Sequence, residues 1–256
     1  MPASQDAGTD GSGTGSYVSN LTALSPSTTY YVRAYATNNT GTAYGNQQTF
    51  VTTATSPTVT DIDGNTYNSV QIGNQVWMSE NLKVSRFKNG SEIPYVLSDS
   101  EWAVLSTAAW CYYGHNVNTS YGNLYNYYAV NNIYGLCPQG WHIPTSEDFD
   151  ILIIYLGGNV NYTQGNNVIS AKLKAQSSWG SFNDNGNNMT GFSALAGGFR
   201  LSSGTGYGQS TEFREFGGIG QWWKVDGSVF VLTNGNREGF SYNYLRNGNS
   251  VRCLRD

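Results

Sequence analysis

Charged residues are scarce in this 256-residue sequence: they make up 12% of the chain, and the net charge is -4. The sequence therefore lacks the basic stripe that contacts phosphates in nucleic-acid-binding proteins, and we expect no nucleic-acid partner. No segment approaches the ~20 consecutive apolar residues of a transmembrane helix, so we do not expect a membrane-spanning chain. The polar residues 1–15 do not have the pattern of a secretory signal peptide.

Cysteine and histidine are also scarce. The spacings of Cys111, Cys137 and Cys253 match no zinc pattern, and one disulfide with one spare thiol is the simplest arrangement for an exported protein. We interpret His142, which precedes an Ile-Pro pair, as a structural histidine bonded to a nearby backbone group. His115 lies in a polar loop and is expected to be solvated. We therefore predict no catalytic residue, no metal site and no cofactor.

Aromatic residues, by contrast, are abundant. The chain has 19 Tyr and 7 Trp, more than its core needs, so we expect some rings to be exposed on a binding surface. The 31 glycines fit short strands joined by many turns. The length of the chain favours two domains over one.

The best-defined pattern is a helix that begins after Pro144. Proline forbids helix just before Thr145, which is a good N-cap residue, and Asp148 lies three residues later in the capping-box position. Apolar residues then recur at helical spacing, at Phe149, Leu152, Ile153 and Leu156. Because Gly157-Gly158 follows, we predict a buried helix of about three turns that ends there.

The rest of the chain divides by composition. Residues 1–15 are a flexible Gly/Ser/Thr-rich lead-in, residues 16–53 alternate as strands do, residues 54–58 are a linker, and residues 59–256 form the main domain. Within the main domain we predict short helices at 98–105 and 169–175, aromatic strands at 109–113 and 124–130, and three or four strands within 213–253.

The first structured segment resembles part of a known domain. The pattern Leu24-x-Pro26-x-Thr28-x-Tyr30 resembles the later part of a fibronectin type III domain, in which Tyr30 would be the tyrosine of the tyrosine corner. The resemblance covers residues 16–53, whereas a whole sandwich needs roughly 90–100 residues. The segment is therefore expected either to come from a longer protein or to be completed by another surface.

Six spaced motifs in residues 59–256 resemble one family, the Fibrobacter succinogenes major paralogous domain of surface and secreted proteins in Bacteroidetes-type bacteria. The motifs are Asp61-Ile-Asp-Gly-Asn65, Gln75-Val-Trp-Met-Ser-Glu-Asn-Leu82, Leu136-Cys-Pro-Gln-Gly-Trp-His-Ile-Pro144, Gly191-Phe-Ser-Ala-Leu195, Gly197-Gly-Phe-Arg200 and Ser250-Val-Arg-Cys253. The resemblance implies an α+β fold of the C-type-lectin-like class, with mixed short strands and one or two helices, related to the formylglycine-generating enzymes. It also implies an extracellular, cell-surface or virion-surface location.

The resemblance carries three further expectations. In C-type-lectin-like domains a disulfide joins the first helix region to the last strand, which pairs Cys137 with Cys253 and leaves Cys111 free. The formylglycine-generating enzymes work through a cysteine pair, which this pairing would leave incomplete, so that activity is not expected. The tripeptides of calcium-dependent sugar binding are absent, which leaves stacking on aromatic rings as the route to a sugar.

Residues 222–249 correspond to the late segment that faces the ligand in C-type-lectin-like proteins. In some of those proteins, diversity-generating retroelements rewrite the Asn codons of this segment. The resemblance thus implies either a variable binding surface here or ordinary sequence drift in loops. We expect a cell-surface glycan or protein to bind here, with Trp222 in the core. The candidate contact residues are Trp223, Asp226, Phe230, Tyr242, Tyr244 and Arg246. The alternative functions are a structural adhesin or spacer without a soluble ligand and, less expected, a formylglycine-generating-type enzyme. A homo-oligomer is left open.

Overall fold

A computed structural model describes residues 11–16, 21, 28–51, 56–115, 119–159, 167–180, 186–202, 213–234, 238–242 and 244–256. The chain divides into two compact units, Met1–Thr55 and Ser56–Asp256. Their boundary falls within the segment that the composition marks as a linker. Among the described residues, no helix combines the length and the apolar content that crossing a membrane requires.

The described residues of the first unit form four short strands in two antiparallel pairs. Strand β1 (Thr29–Val32) pairs with β4 (Gln48–Val51), and β2 (Tyr35–Asn38) pairs with β3 (Gly41–Tyr44). The rings of Tyr30 and Phe50 stack across the first pair with their centroids 5.8 Å apart. Most of the strand side chains are exposed, so these four strands do not enclose a core by themselves.

The second unit is built mainly of strands. They are β5 (Ser56–Thr60), β6 (Thr66–Ile72), β7 (Gln75–Met78), β8 (Trp110–Cys111), β9 (Leu124–Tyr125), β10 (Trp141–His142), β11 (Phe199–Arg200), β12 (Phe213–Arg214), β13 (Ile219–Trp223), β14 (Ser228–Thr233), β15 (Glu238–Tyr242) and β16 (Leu254–Arg255). The helices are α1 (Asp99–Val104), α2 (Tyr127–Val130), α3 (Ser146–Tyr155) and α4 (Asn167–Leu173). The unit is therefore α+β and rich in sheet.

Two sheets organise this unit. The larger sheet has the strand order β10-β16-β7-β6-β5, so the last strand of the chain lies between strands from the beginning and the middle of the unit. The smaller sheet has the order β13-β14-β15, and all its strands are antiparallel. A hydrophobic cluster joins α3 to both sheets: the ring of Phe149 lies 5.1 Å from Trp77 and 4.5 Å from Phe230.

Helix α3 confirms the helix predicted after Pro144. The Thr145 side chain accepts a hydrogen bond from the backbone N–H of Asp148, and the Asp148 carboxylate accepts one from the backbone N–H of Thr145. The predicted apolar face is buried. At Gly158, a Cβ atom would lie 2.2 Å from the Ile169 side chain, so the close approach of α4 requires glycine at that position.

The other helix predictions are confirmed with small shifts, because α1 lies within 98–105 and α4 begins two residues before 169. The strand predicted at 124–130 is wrong after its second residue. The side chain of Asn126 accepts a hydrogen bond from the backbone N–H of Ala129 and begins the one-turn helix α2. This local cap outweighs the strand preference of the neighbouring tyrosines.

One disulfide and one buried polar cluster join distant parts of the second unit. Cys137 and Cys253 are bonded, with an S–S distance of 2.06 Å and a sequence separation of 116, which is the pairing that the resemblance implied. Asn81 accepts hydrogen bonds at 2.7 Å from both Trp222 Nε1 and the Arg252 guanidinium. Its own amide nitrogen donates to Ser250 Oγ at 3.2 Å. The end of the second unit is thus joined to Cys137 by a covalent bond and to Asn81 by hydrogen bonds.

Candidate ligand-binding site

Two of the six residues predicted to contact a ligand are fully buried. Trp223 and Phe230 have no exposed surface, so the expectation that they face a ligand is wrong. Trp222 is buried as predicted, but its neighbour Trp223 points to the opposite face of β13, which is covered as well. Trp223 donates from Nε1 to the carbonyl of Tyr125 at 2.6 Å. Strand alternation leaves one tryptophan exposed only when one face of the sheet meets water, and here neither face does.

Asp226 is exposed, but its carboxylate oxygens are used inside the protein. Oδ1 accepts hydrogen bonds from the backbone N–H and the hydroxyl of Ser228, and Oδ2 accepts one from Ser146 Oγ at 2.8 Å. Burial alone would raise the pKa of Asp226, but these hydrogen bonds and the charge of Lys224 outweigh it, and its pKa is lowered. Asp226 therefore closes the β13–β14 turn and ties it to the start of α3.

The last candidate residues lie near the surface. Tyr244 is 57% exposed and Arg246 is half-buried, whereas the side chain of Tyr242 lies outside the described residues. Arg246 is fixed to the end of α1: its Nε donates to the Leu105 carbonyl at 2.8 Å, and its own carbonyl accepts from Trp102 Nε1 at 2.7 Å. The segment 244–246 is therefore held against the residues that follow α1.

An open groove of about 450 Å³ lies beside this segment. Its walls come from the residues after α1, from α2 and the turn that follows it, and from Leu245. The lining residues are Ser106, Thr107, Ala108, Tyr127, Tyr128, Asn131, Asn132, Ile133 and Leu245. None of these side chains is charged, and the volume is typical of small-molecule sites, which range over roughly 300–1,000 Å³.

Backbone and side-chain hydrogen bonds hold the groove walls together. Asn126 donates from Nδ2 to the Thr107 carbonyl at 2.8 Å, and its Oδ1 accepts from the backbone N–H of Ala109 at 3.0 Å. The backbone N–H of Tyr127 donates to the Leu245 carbonyl at 2.8 Å. The buried Asn126 therefore connects α2 to the segment after α1, and the start of α2 is bound directly to Leu245.

Tyr127 supplies a fixed ring to the groove. Its hydroxyl donates to the Val225 carbonyl at 2.7 Å, and its ring packs on Trp223 with the centroids 5.6 Å apart. Burial, and then the charge of Asp226, raises the pKa of Tyr127, so the hydroxyl stays protonated at neutral pH. By contrast, no hydrogen bond joins the hydroxyl of Tyr128 or the side-chain amide of Asn131 to another described residue.

Most of this groove is not predicted by the sequence patterns. Only the segment 244–246 belongs to the predicted ligand face, and the residues around α2 were assigned to a strand. The available signal was Asn126 before an aromatic pair, followed by Asn131-Asn132, which is a cap and a turn around one helical turn. A helix of four residues has too little periodicity to be recognised from its apolar pattern.

Among the described residues, the Cys111 thiol is inaccessible and the His142 ring is bound to other side chains. Cys111 is a free, fully buried thiol, and burial raises its pKa to about 12 despite the nearby charge of Arg200. The ring of His142 contacts two carboxylates, Asp256 Oδ1 at 2.7 Å and Asp148 Oδ2 at 3.4 Å, which corrects the expected backbone partner. The side chain of the other histidine lies outside the described residues. Within the described ranges, no cluster of His, Cys, Asp and Glu could hold a metal ion.

Comparison with known proteins gives one family. No curated protein and no solved structure matches the chain. The family model described as the Fibrobacter succinogenes major domain matches residues 70–255. This range covers more than half of the chain and includes α3, the smaller sheet and every groove residue. The chain therefore belongs to the Fibrobacter succinogenes major domain family.

Proposed function

We propose that residues 59–256 form a non-catalytic recognition domain that binds a cell-surface glycan or protein in the groove beside Leu245. The observation that carries this proposal is the combination of fixed and available groups in the groove. Tyr127 and Asn126 hold the walls in place, while the Tyr128 hydroxyl and the Asn131 side-chain amide have no hydrogen-bonding partner among the described residues. A rigid site with available polar groups binds with little loss of conformational entropy.

The occupied reactive groups support a function without catalysis. A thiol whose pKa is raised to about 12 is protonated at neutral pH and is a poor nucleophile, and Cys111 is also inaccessible. Cys137 and Cys253 are joined to each other, so no pair of free thiols remains for chemistry of the formylglycine-generating type. A thiol oxidase assay that detected turnover would contradict this part of the proposal.

The finer fold assignment also belongs to the proposal. We assign residues 59–256 to the C-type-lectin-like class and residues 16–53 to a partial fibronectin type III domain. The last strand paired beside β7 and the disulfide that closes the unit support the first assignment. The antiparallel strand pairs support the second. Because disulfides persist in oxidising compartments, the bond favours an extracellular, cell-surface or virion-surface location.

The proposed ligand surface includes only part of the segment 222–249. Trp222, Trp223 and Phe230 fill the core, and rewriting them would cost several kcal/mol each. A diversified ligand surface therefore does not include these positions. Of the six residues predicted from the sequence, Tyr244 and Arg246 adjoin the groove on either side of its lining residue Leu245, and neither of them lines it.

Alanine variants of the groove test the proposal. The full chain is applied to a glycan array and to intact cells, and affinity is compared for Tyr128→Ala and Ile133→Ala against the parent chain. Tyr128 is half-buried and Ile133 is 93% exposed in the groove wall. We expect Tyr128→Ala to weaken binding by about 10- to 30-fold, as the loss of a central aromatic contact does, with an unchanged Tm.

Matched controls come from helix α3. Tyr155 is 63% exposed and Ile154 is 58% exposed, and neither lines the groove. Tyr155→Ala and Ile154→Ala should leave affinity within about twofold of the parent. Equal binding by the parent and both groove variants would contradict the proposed site. Binding of the parent to neither array nor cells would favour the spacer alternative.

A further inference from the structure

We infer that the ligand of the groove is an uncharged glycan. This inference rests on the proposed function, because it takes the groove to be the binding site and specifies the chemical class of its ligand. Three properties of the described lining residues carry it: none has a charged side chain, their polar groups are hydroxyls and amides, and apolar surfaces lie among them.

The first property is charge. The described lining residues have hydroxyl, amide, aromatic and aliphatic side chains, and none of them is acidic or basic. Arg246 follows Leu245 in the chain but does not line the groove, and its Nε donates to the Leu105 carbonyl at 2.8 Å. A ligand carboxylate, sulfate or phosphate would lose hydration in the groove without gaining an opposite charge from the lining, and that exchange is unfavourable.

The second property is the match to hydroxyl groups. A sugar hydroxyl both donates and accepts hydrogen bonds, and so do the side chains of Ser106, Tyr128 and Asn131. Asn132 is oriented in advance: its Oδ1 accepts from the backbone N–H of Tyr134 at 3.0 Å, which leaves its NH₂ donors for a ligand. Two adjacent amides can therefore meet neighbouring hydroxyls on one sugar ring.

The third property is the apolar surface. The Tyr127 ring is fixed by its hydroxyl and by its contact with Trp223, and Ile133 and Leu245 are exposed at the same groove. The C–H face of a pyranose ring is apolar and packs on aromatic and aliphatic side chains. A site that places apolar surfaces among a few convergent polar groups suits a ring with one apolar face.

The backbone of the groove argues against a peptide ligand. Extended peptides commonly add a strand to an open sheet edge. Here one wall is helix α2, and two carbonyls of the segment after α1 are in use, since Leu105 accepts from Arg246 and Thr107 accepts from Asn126. The side-chain hydroxyls and amides of the described lining residues suit the recognition of hydroxyl groups.

A glycan array with matched oligosaccharides tests the inference. Each core is printed in a neutral, a sialylated and a sulfated form, and the full chain is applied at low and at high salt. We expect binding to one or more neutral cores, at least tenfold weaker binding when the added acid lies next to the recognised sugar, and less than a twofold change in affinity between 0.05 and 0.5 M NaCl, since no ion pair is screened.

The second test of the inference adds a negative charge to the groove. Asn131→Asp keeps the size of an exposed side chain, replaces its NH₂ donors and adds a negative charge, so we expect at least a tenfold loss of affinity for the neutral core. Asn89→Asp is the matched control: Asn89 is exposed in a turn, and its Oδ1 acceptor, bound to the backbone N–H of Ser91, is retained.

The outcomes separate the inference from the proposed function. Preferential, salt-dependent binding of sialylated or sulfated glycans would overturn the neutral-glycan inference, and so would no binding to the array. If intact cells bind the chain, lose that binding after protease treatment, and are bound less well by Ile133→Ala, the groove is the site but its ligand is a protein. If Asn131→Asp and Ile133→Ala bind as the parent does, the groove itself is excluded.

Discussion

The buried side chain of Asn81 connects residues that are distant in sequence through several hydrogen bonds. Its amide oxygen accepts hydrogen bonds from Trp222 and from the fully buried Arg252 guanidinium, and its nitrogen donates to the carbonyl of Tyr121 and to Ser250. The guanidinium also donates to a backbone carbonyl and lies over two aromatic rings. Asn81 is therefore the polar partner that makes a buried positive charge tolerable in this part of the core.

We predict that Asn81→Ala will lower the free energy of unfolding by about 3 kcal/mol or more. The substitution leaves buried donors of Trp222 and Arg252 without an acceptor, and an unpaired buried charge is costly. Urea unfolding followed by tryptophan fluorescence measures the loss. Asn68→Ala is the control, since the side chain of Asn68 is exposed and its one hydrogen bond to a described residue goes to Glu80 Oε1, and it should cost less than about 0.5 kcal/mol. Similar losses for both variants would refute this role.

The residue types predict the local contacts of some side chains correctly, but they predict the exposure of others wrongly. The capping box of Thr145 and Asp148 follows from local sequence, because both partners lie within one helical turn. The burial of Trp223 does not, because it depends on what covers the second face of β13. Residues distant in sequence, including Tyr125 and the disulfide, lie on that side.

Helix α3 is the element whose sequence pattern and packing agree most fully. Its buried face contacts Trp77 and Phe230, one from each sheet, while Ile151, Ile154 and Tyr155 are exposed. Both faces of the helix carry apolar residues, so the apolar pattern predicts the helix more firmly than it predicts the buried side. The cap at Thr145 and the contact at Gly158 set its ends.

We predict that Phe149→Ala will cost about 3–5 kcal/mol of stability, because it removes a fully buried ring from between the two sheets. Ile154→Ala on the same helix should cost less than about 1 kcal/mol, since Ile154 is 58% exposed. Chemical denaturation of both variants at one temperature gives the comparison. Equal losses would mean that the helix does not bury the face described.

Helix α2 shows where sequence patterns fail at the scale of an element. Four residues bury little area, and their conformation is set by the Asn126 cap and by the carbonyl of Leu245, which accepts from the first helical N–H. The second of these contacts joins residues 118 positions apart. The groove depends on the same long-range contact, so it could not be derived from a local window.

At the scale of the whole molecule, the second unit is closed by joining its ends. Strand β16 pairs with β7 and β10, and the disulfide links Cys253 to the segment before β10. Such a closure restricts the unfolded chain more than a short loop would, because the entropy lost on cross-linking grows with loop length.

We predict that reducing the Cys137–Cys253 bond will lower the free energy of unfolding by about 2–5 kcal/mol, given its separation of 116 residues. Urea unfolding with and without dithiothreitol measures the change. The double variant Cys137→Ala/Cys253→Ala is the control, and its stability should not respond to the reductant. In the oxidised native chain, the buried Cys111 should resist alkylation. A peptide map that links Cys111 to another cysteine would contradict this pairing.

The sequence by itself determined the features that local chemistry fixes. These are the start and end of α3, the two other short helices of similar length, and the scarcity of reactive and basic groups. Each depends on residues within a few positions of one another, where capping, proline geometry and apolar spacing act directly. The family follows from spaced motifs, and the matched range of residues 70–255 contains most of them.

Only the tertiary structure decided which aromatic residues are exposed and where a ligand could fit. Trp223 and Phe230 are aromatic residues of the kind found in binding surfaces, yet both are fully buried because their sheet is covered. The groove joins residues after α1, around α2 and at Leu245, which long-range hydrogen bonds bring together. The exposure of a side chain depends on the residues that pack against it. Here those residues are distant in sequence, so a local sequence pattern does not reveal them.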